Sequence, residues 1–301
     1  MDPPINLTGP HIETDSVKES LWQERQAVHL SELAPVINPH LDRRSWGQKH
    51  PVIDFLFEYY RFRPSALLRW SPGLGPRLVG GASAFAGTPH FETDGADAWV
   101  SLGKMSPRLR SSTRWILSLL ERTQARAPMF GCHGLHEWAM VYRESGVRHA
   151  YTPLRLTPAE IATVVETGPV VCTHFDAFRF FTPDARPLNR VTPEAQTAPD
   201  FEQPGCLHVN MDVYRWAMKR YPWISSDLTR DAFLLAMDIR AVDMQASPYD
   251  LADLGYPPIC IETEDGRAEY RSLQSAFYER ARPIRARLIK AYRRLAEALE
   301  A

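Results

Sequence analysis

Twenty-five prolines punctuate this 301-residue chain. Their positions set the limits of any continuous helix, because proline lacks an amide hydrogen and clashes with the preceding turn. A helix is expected from about Ser16 to Leu33, broken by Pro35 and Pro39. In HPVIDFLFEYYRFRP, Pro51 suits a first helical turn and Pro64 stops the segment. Ile53, Phe57 and Tyr60 there recur at helical spacing, with Val52, Phe55, Leu56 and Tyr59 widening the apolar stripe. Pro107 to Arg126 reads as a helix with Trp115, Leu119 and Leu120 inward and its arginines outward. Leu156 to Glu166 carries a capping box, with Thr157 as cap, Pro158 at the first position and Glu160 reaching back. CLHVNMDVYRWAMKRYP and SSDLTRDAFLLAMDIRAVDMQASP form a helical hairpin, ended by Pro222 and Pro248. A last helix runs from about Arg267 to the C-terminus, bent at Pro283. Between these lie a Gly/Pro-rich loop or short hairpin (Trp70 to Asp97), a strand-like run (Val170 to Pro183) and a surface loop over 182–205. PPICIET reads as a short strand that turns at Asp265-Gly266. The expected fold is mainly α: a single helical domain over 16–301 with a few short strands and long Pro-rich loops, after a disordered tail of residues 1–15.

Bulk properties narrow the class. Hydrophobic residues make up 44% and charged residues 24%, as in globular proteins with a sizeable core. No apolar run approaches the roughly 18 residues of a membrane span. The polar, acidic start MDPPINLTGPHIETD is no secretory signal. Cys132, Cys172, Cys206 and Cys260 are too far apart for a zinc ribbon or a compact disulfide framework, so the expected location is the cytoplasm. The net charge is -1. A nucleic-acid surface would therefore be a local patch, with Arg108 to Arg126 and Arg280 to Arg294 as the basic stretches available.

Polar groups inside apolar surroundings mark the middle of the chain. In GCHGLHEWAMVYR, read as a helix, His133, His136, Met140 and Arg143 share one face, and Glu137 lies beside it. Imidazole and carboxylate on adjacent turns share a proton, bind a metal or orient one another. In VVCTHFDAFRFF, strand alternation puts His174 and Asp176 on one face with Phe178 and Phe180. In the hairpin, His208 and Asp212 stand at i and i+4 with Arg215 and Lys219 continuing the stripe. Asp231, Asp238 and Gln245 line up on the next helix, while Arg240 and Asp243 read as ordinary surface charges. The expected catalytic set is His136, Glu137, His174, Asp176, His208, Asp212 and Asp238. SPGLGPRLVGG mimics the Pro-Gly-x-Gly turn of a helix-hairpin-helix, with Asp94 downstream, but Gly80, Gly81, Gly87 and Pro89 spoil the helix such a motif needs.

The strings GCHGLHEWAMVYR, THFDAFRFFTPDARPLN, CLHVNMDVYRWA and DIRAVDMQASPYDLADLGYPPICIETEDGRAEY resemble a family of bacterial proteins labelled 3-methyladenine DNA glycosylase. The likeness begins near KHPVIDFLFEYY and covers most of the remaining chain. It implies hydrolysis of the N-glycosidic bond of an alkylated adenine in DNA, without a cofactor. A flipped base would then stack among Trp138, Tyr142, Phe178 and Trp216, with Arg143 and Arg179 as further substrate contacts. Asp176, Asp212 or Asp238 would stabilise the sugar cation. The side chains themselves point to an alternative. His133, His136, Glu137, His174, His208 and Asp212 form a donor set for iron, another divalent metal or a pair of metals, in an oxidase acting on a small molecule or free nucleobase. A third possibility is a binding protein without catalysis.

Overall fold

Among residues 15–144 and 151–301, which the computed structural model describes, twelve α-helices pack around a central group with one small sheet at the side. In chain order the helices are α1 (Glu19–Ser45), α2 (Phe55–Glu58), α3 (Pro64–Leu67), α4 (Ala82–Phe85), α5 (Pro107–Ala125) and α6 (Leu135–Ala139). They continue with α7 (Pro158–Thr167), α8 (Phe175–Phe178), α9 (Ala198–Phe201), α10 (Leu207–Met218), α11 (Ser226–Gln245) and α12 (Glu264–Glu300). Strands β1 (Ser16–Val17), β2 (Arg77–Leu78), β3 (Phe91–Asp94) and β4 (Asp97–Val100) form the sheet in the order β1-β2-β4-β3. The mainly α expectation holds. The anticipated disordered tail lies outside the described residues apart from Asp15, whose carbonyl accepts the Arg77 amide. No described helix is long and apolar enough to cross a membrane.

The hairpin of α10 and α11 is the centre, and α12 packs on both. Every residue of α10 except Arg215 is buried, so this helix has no solvent face at all. Phe233 of α11 meets Phe57 and Tyr214, with ring centroids 5.8 and 5.2 Å away. The sheet carries a separate, smaller apolar cluster around Trp22, Trp70, Phe85 and Phe91. The Thr157/Glu160 capping box is formed as expected.

Several elements differ from the sequence reading, each for a local reason. Helix α1 continues through Pro35 and Pro39. Both prolines sit on the exposed side while Leu33, Ile37 and His40 anchor the other face in the core, which outweighs the lost amides. The 50–64 segment keeps only one turn as helix, and Arg61, at φ 57°, turns the chain away before Pro64. Val170 to Pro183 is not a strand. The Asn189 side chain takes the place of a strand partner, accepting from the Cys172 amide at 2.7 Å and donating to its carbonyl at 2.9 Å. The chain then enters α8 directly after His174. PPICIET is irregular, and Asp265 and Gly266 lie inside α12, which Thr263 caps. The 182–205 loop is not wholly on the surface, since Glu202, Gln203, Pro204 and Gly205 are buried. Trp115 faces outward at 44% exposure, while Thr113, Ile116, Leu119, Leu120 and Thr123 face the core.

This packing separates two aromatic truncations. Phe233→Ala is expected to cost about 3–5 kcal/mol in urea unfolding, and Trp115→Ala under about 1 kcal/mol. Equal losses at the two positions would contradict the assignment of inner and outer faces.

Candidate metal centre

The opening GCHGLHE stretch is bent by Gly134, whose φ of +70° suits glycine and whose absent side chain leaves room for the Tyr270 ring. A Cβ at Gly134 would lie 3.3 Å from that ring. The bend corrects the expectation that His133 and His136 share a face. His133 has left-handed backbone at φ 45° and turns toward Tyr270, with ring centroids 6.5 Å apart, while His136 begins the buried turn of α6. His133 is therefore not part of the cluster formed by His136.

His136 Nε2 lies 3.0 Å from Oδ1 of Asp243 on α11, a buried ion-pair contact in which neither atom has a further partner. His208, from the first turn of α10, stands edge-on to His136 with centroids 4.3 Å apart. One donor atom from each of His136, His208 and Asp243 lies within 4.8 Å of the others, and the three residues are 4, 6 and 0% exposed. Arg240 clamps this group. Its Nη1 donates to Glu137 Oε1 at 2.7 Å and to Asp243 Oδ2 at 2.8 Å, and its guanidinium lies 4.0 Å over the Phe55 ring.

A second polar group abuts the first. The His174 ring stacks on His208 with centroids 5.3 Å apart. His174 Nε2 is 3.3 Å from Asp212 Oδ2 and 3.7 Å from Glu202 Oε1. Tyr60 donates its hydroxyl to Asp212 Oδ1 at 2.8 Å, and Arg215 donates to Asp212 Oδ2 at 2.9 Å and to Asp176 Oδ2 at 2.5 Å. Arg179 completes the chain on Asp176 Oδ1 at 3.0 Å. Of the expected catalytic residues, His136, Glu137, His174, His208 and Asp212 thus belong to one continuous buried network, and the half-buried Asp176 joins it through Arg215.

Charges inside it are tuned by burial and neighbours. Burial and the neighbouring His136 hold His208 well below the usual imidazole range, leaving it neutral with one ring nitrogen's lone pair to offer. Burial opposes ionisation of Asp243, but the adjoining His136 first, and Arg240 with it, overcome that and keep the carboxyl ionised. Asp212 likewise stays ionised against burial through Arg215, His174 and Tyr60. Burial also opposes protonation of His174, yet Asp212 and Glu202 raise its pKa. Glu202 is pushed up to about 7, by burial first.

Other expected site residues fall elsewhere. Asp238 is the single exposed position between 231 and 245 and pairs with Arg280, so it is no buried carboxylate. Trp138 is wholly buried, donating its indole N–H to the Ala246 carbonyl at 2.8 Å. Tyr142 and Arg143 both bind Glu166 at 2.7 Å. Phe178 packs on Phe181, Arg179 lies over Phe180, and Trp216 lies beneath Arg215 and Lys219. These aromatics occupy separate environments rather than one cage. The structure adds Asp243, Arg240, Glu202 and Tyr60 to the site. Arg240 and Asp243 are 1 and 0% exposed, not surface charges. The apolar residues flanking them in AMDIRAVDM are the signal for that burial, whereas nothing in the Pro-rich loop singles out Glu202. No protein-family model, curated protein or solved structure matches the chain.

Removing the Arg240 charge strands two buried carboxylates. Arg240→Met is expected to lower stability by about 3–5 kcal/mol, and adding Glu137→Gln and Asp243→Asn to recover most of that loss. Denaturant unfolding of the single and triple variants checks it. A triple variant less stable than Arg240→Met would show that charge pairing is not the dominant contribution.

Proposed function

We propose that His136, His208 and Asp243 hold a divalent transition-metal ion, and that the protein is a metal-dependent oxidoreductase acting on a small molecule. The observation that carries this is the meeting of three buried donors, each with a ligand atom within 4.8 Å of the others and two of them, His136 Nε2 and Asp243 Oδ1, 3.0 Å apart. Metal–ligand bonds of about 2.1 Å at right angles place neighbouring donor atoms about 3.0 Å apart. Two imidazoles and one carboxylate are the ligand set of non-haem iron oxygenases, and such an ion keeps open positions for substrate and dioxygen. The residues around the set suit the task. His208 is neutral, as ligation requires. Arg240 occupies Asp243 Oδ2 and leaves Oδ1 toward His136, where it would be available to a metal, the outer support that metal-binding carboxylates usually have. Burial keeps bulk water from the reacting centre.

Excision of an alkylated base, which the family resemblance implies, has less support from these residues. It needs a carboxylate open to a flipped nucleotide, whereas Asp176 and Asp212 are both bound by Arg215. Asp238 is paired at the exterior, and the net charge of -1 offers no general attraction to phosphate backbone.

Elemental analysis of the protein purified without chelator, or reconstituted anaerobically with iron(II), is expected to find at least one equivalent of metal per chain. His208→Ala and Asp243→Asn should lose it with folding intact, and Asp238→Asn should keep it. Metal-free protein after reconstitution would sink this reading. Release of free base from methylated DNA by that metal-free protein would put the glycosylase reading in its place.

A further inference from the structure

We propose a second, separate binding site, for a small organic phosphate: an apolar group carrying a phosphate monoester. It is the cavity between the turn at residues 72–76 and the C-terminal half of α12, with a volume of about 290 Å³, close to the lower end for small-molecule sites. No residue lining it belongs to the buried His/Asp network, so this proposal stands apart from the metal reading.

One wall is the stretch SPGLGP, whose sequence mimics a helix-hairpin-helix turn. In the structure it is stitched to the start of α11. Ser71 Oγ accepts the Gly73 amide at 3.1 Å and donates to the Pro222 carbonyl at 2.7 Å, and the Leu74 amide donates to the Trp223 carbonyl at 2.9 Å. Gly73 and Gly75 have φ of +83° and +113°, where side chains are rarely tolerated. A Cβ on Gly73 would fall 2.9 Å from the Ser225 nitrogen, and one on Gly75 would overlap the Arg294 guanidinium. The glycines thus let the turn press on α11 and let Arg294 lie against it. The cavity wall is fixed before any ligand arrives.

The opposite wall supplies the charge. Arg287, Lys290 and Arg294 recur at i, i+3 and i+7, so one side of α12 presents all three to the cavity. Among the described residues no acidic side chain lines it, in a chain whose acids outnumber its bases 36 to 35. Arg287 reaches Asp231 at 2.5 Å, whereas the Lys290 ammonium has no ion-pair partner among the described residues. A cleft lined by one sign of charge concentrates the opposite sign. Several cations match the charge of about -2 on a phosphate monoester better than the single charge of a carboxylate. The cationic residues are exposed, while Leu74, Trp223 and Leu228 are 7, 3 and 3% exposed and form an apolar floor. Inorganic phosphate would leave that floor uncovered, and an attached apolar body would cover it.

Phosphorus NMR titration of the full-length protein with phenyl phosphate and with inorganic phosphate tests the site. Phenyl phosphate is expected to bind saturably with one equivalent, at least about tenfold more tightly than inorganic phosphate. Lys290→Gln combined with Arg294→Gln should weaken it by at least about tenfold, and Arg282→Gln, exposed on the same helix but outside the cavity, should not. Both substituted side chains are exposed, and an unchanged melting temperature verifies folding. Chelator treatment is expected to leave the affinity unchanged, which separates this site from phosphate held at a metal. Absence of binding at millimolar phenyl phosphate would overturn the proposal. So would equal affinity for the two probes, equal affinity of the double variant and wild type, or binding abolished by chelator.

Discussion

The buried guanidinium of Arg240 is the interaction on which the rest of the site depends. It joins the short turn of α6 to the central helix α11 through Glu137 and Asp243, and the Phe55 ring covers it. Each contact is worth roughly 4 kcal/mol at an effective dielectric near 20, while desolvating each ion costs several kcal/mol. Attraction and desolvation therefore nearly cancel, so the clamp adds little net stability. What it contributes is definition. Glu137 adjoins His136, so seating one carboxylate on Arg240 also sets the imidazole beside it. Asp243 is held by one oxygen, which turns the other toward His136. Hydrophobic residues of similar volume in place of Arg240, Glu137 and Asp243 together would hold the helices together and lose that aim.

Two halves with different electrostatic character meet at His208. On the Asp243 side the imidazole is kept neutral by burial and by the neighbouring His136. On the Asp212 side His174 is drawn toward protonation by the carboxylates around it. The two rings nevertheless stack, with centroids 5.3 Å apart. Such a contrast between adjacent imidazoles comes from where the carboxylates are fixed rather than from the histidines, and the fixing groups are Arg240 for one half and Arg215 with Tyr60 for the other.

Sequence patterns revealed the hairpin of α10 and α11, the Thr157 cap, and most members of the polar network, because those signals are local: a helical period, a capping box, histidine and acid at i and i+4. They failed where burial has no direction. With α10 buried almost all round, the stripe of His208 and Asp212 that helical periodicity picks out has no solvent face to lie beside. On α11 the same ambiguity exchanged Asp238, which is exposed, for Asp243, which is wholly buried. The Val170 to Pro183 run has strand-like residues, but a strand needs a neighbour to pair with, and here a single asparagine side chain meets that need. Glu202 was out of reach altogether. It stands in a proline-rich loop whose composition argues for the surface, and only its tertiary position buries it.

That last residue bears on how the centre is assembled. His208, Asp212 and Asp243 lie on the long helices α10 and α11, whose backbones are fixed by their own hydrogen bonds and by the core, and His136 lies on the short turn of α6. His174 caps a single helical turn, and Glu202 closes the Pro-rich segment just before α10. A one-turn helix and a loop end have few internal hydrogen bonds to resist displacement, so this half of the network is held by its side chains more than by its backbone. The Asn189 bridge to Cys172 and the Gln203 contact to the Met129 backbone are what tie it to the bundle. The bundle therefore positions the groups on α10 and α11, while His174 and Glu202 take their positions from the side-chain bridges of their loops.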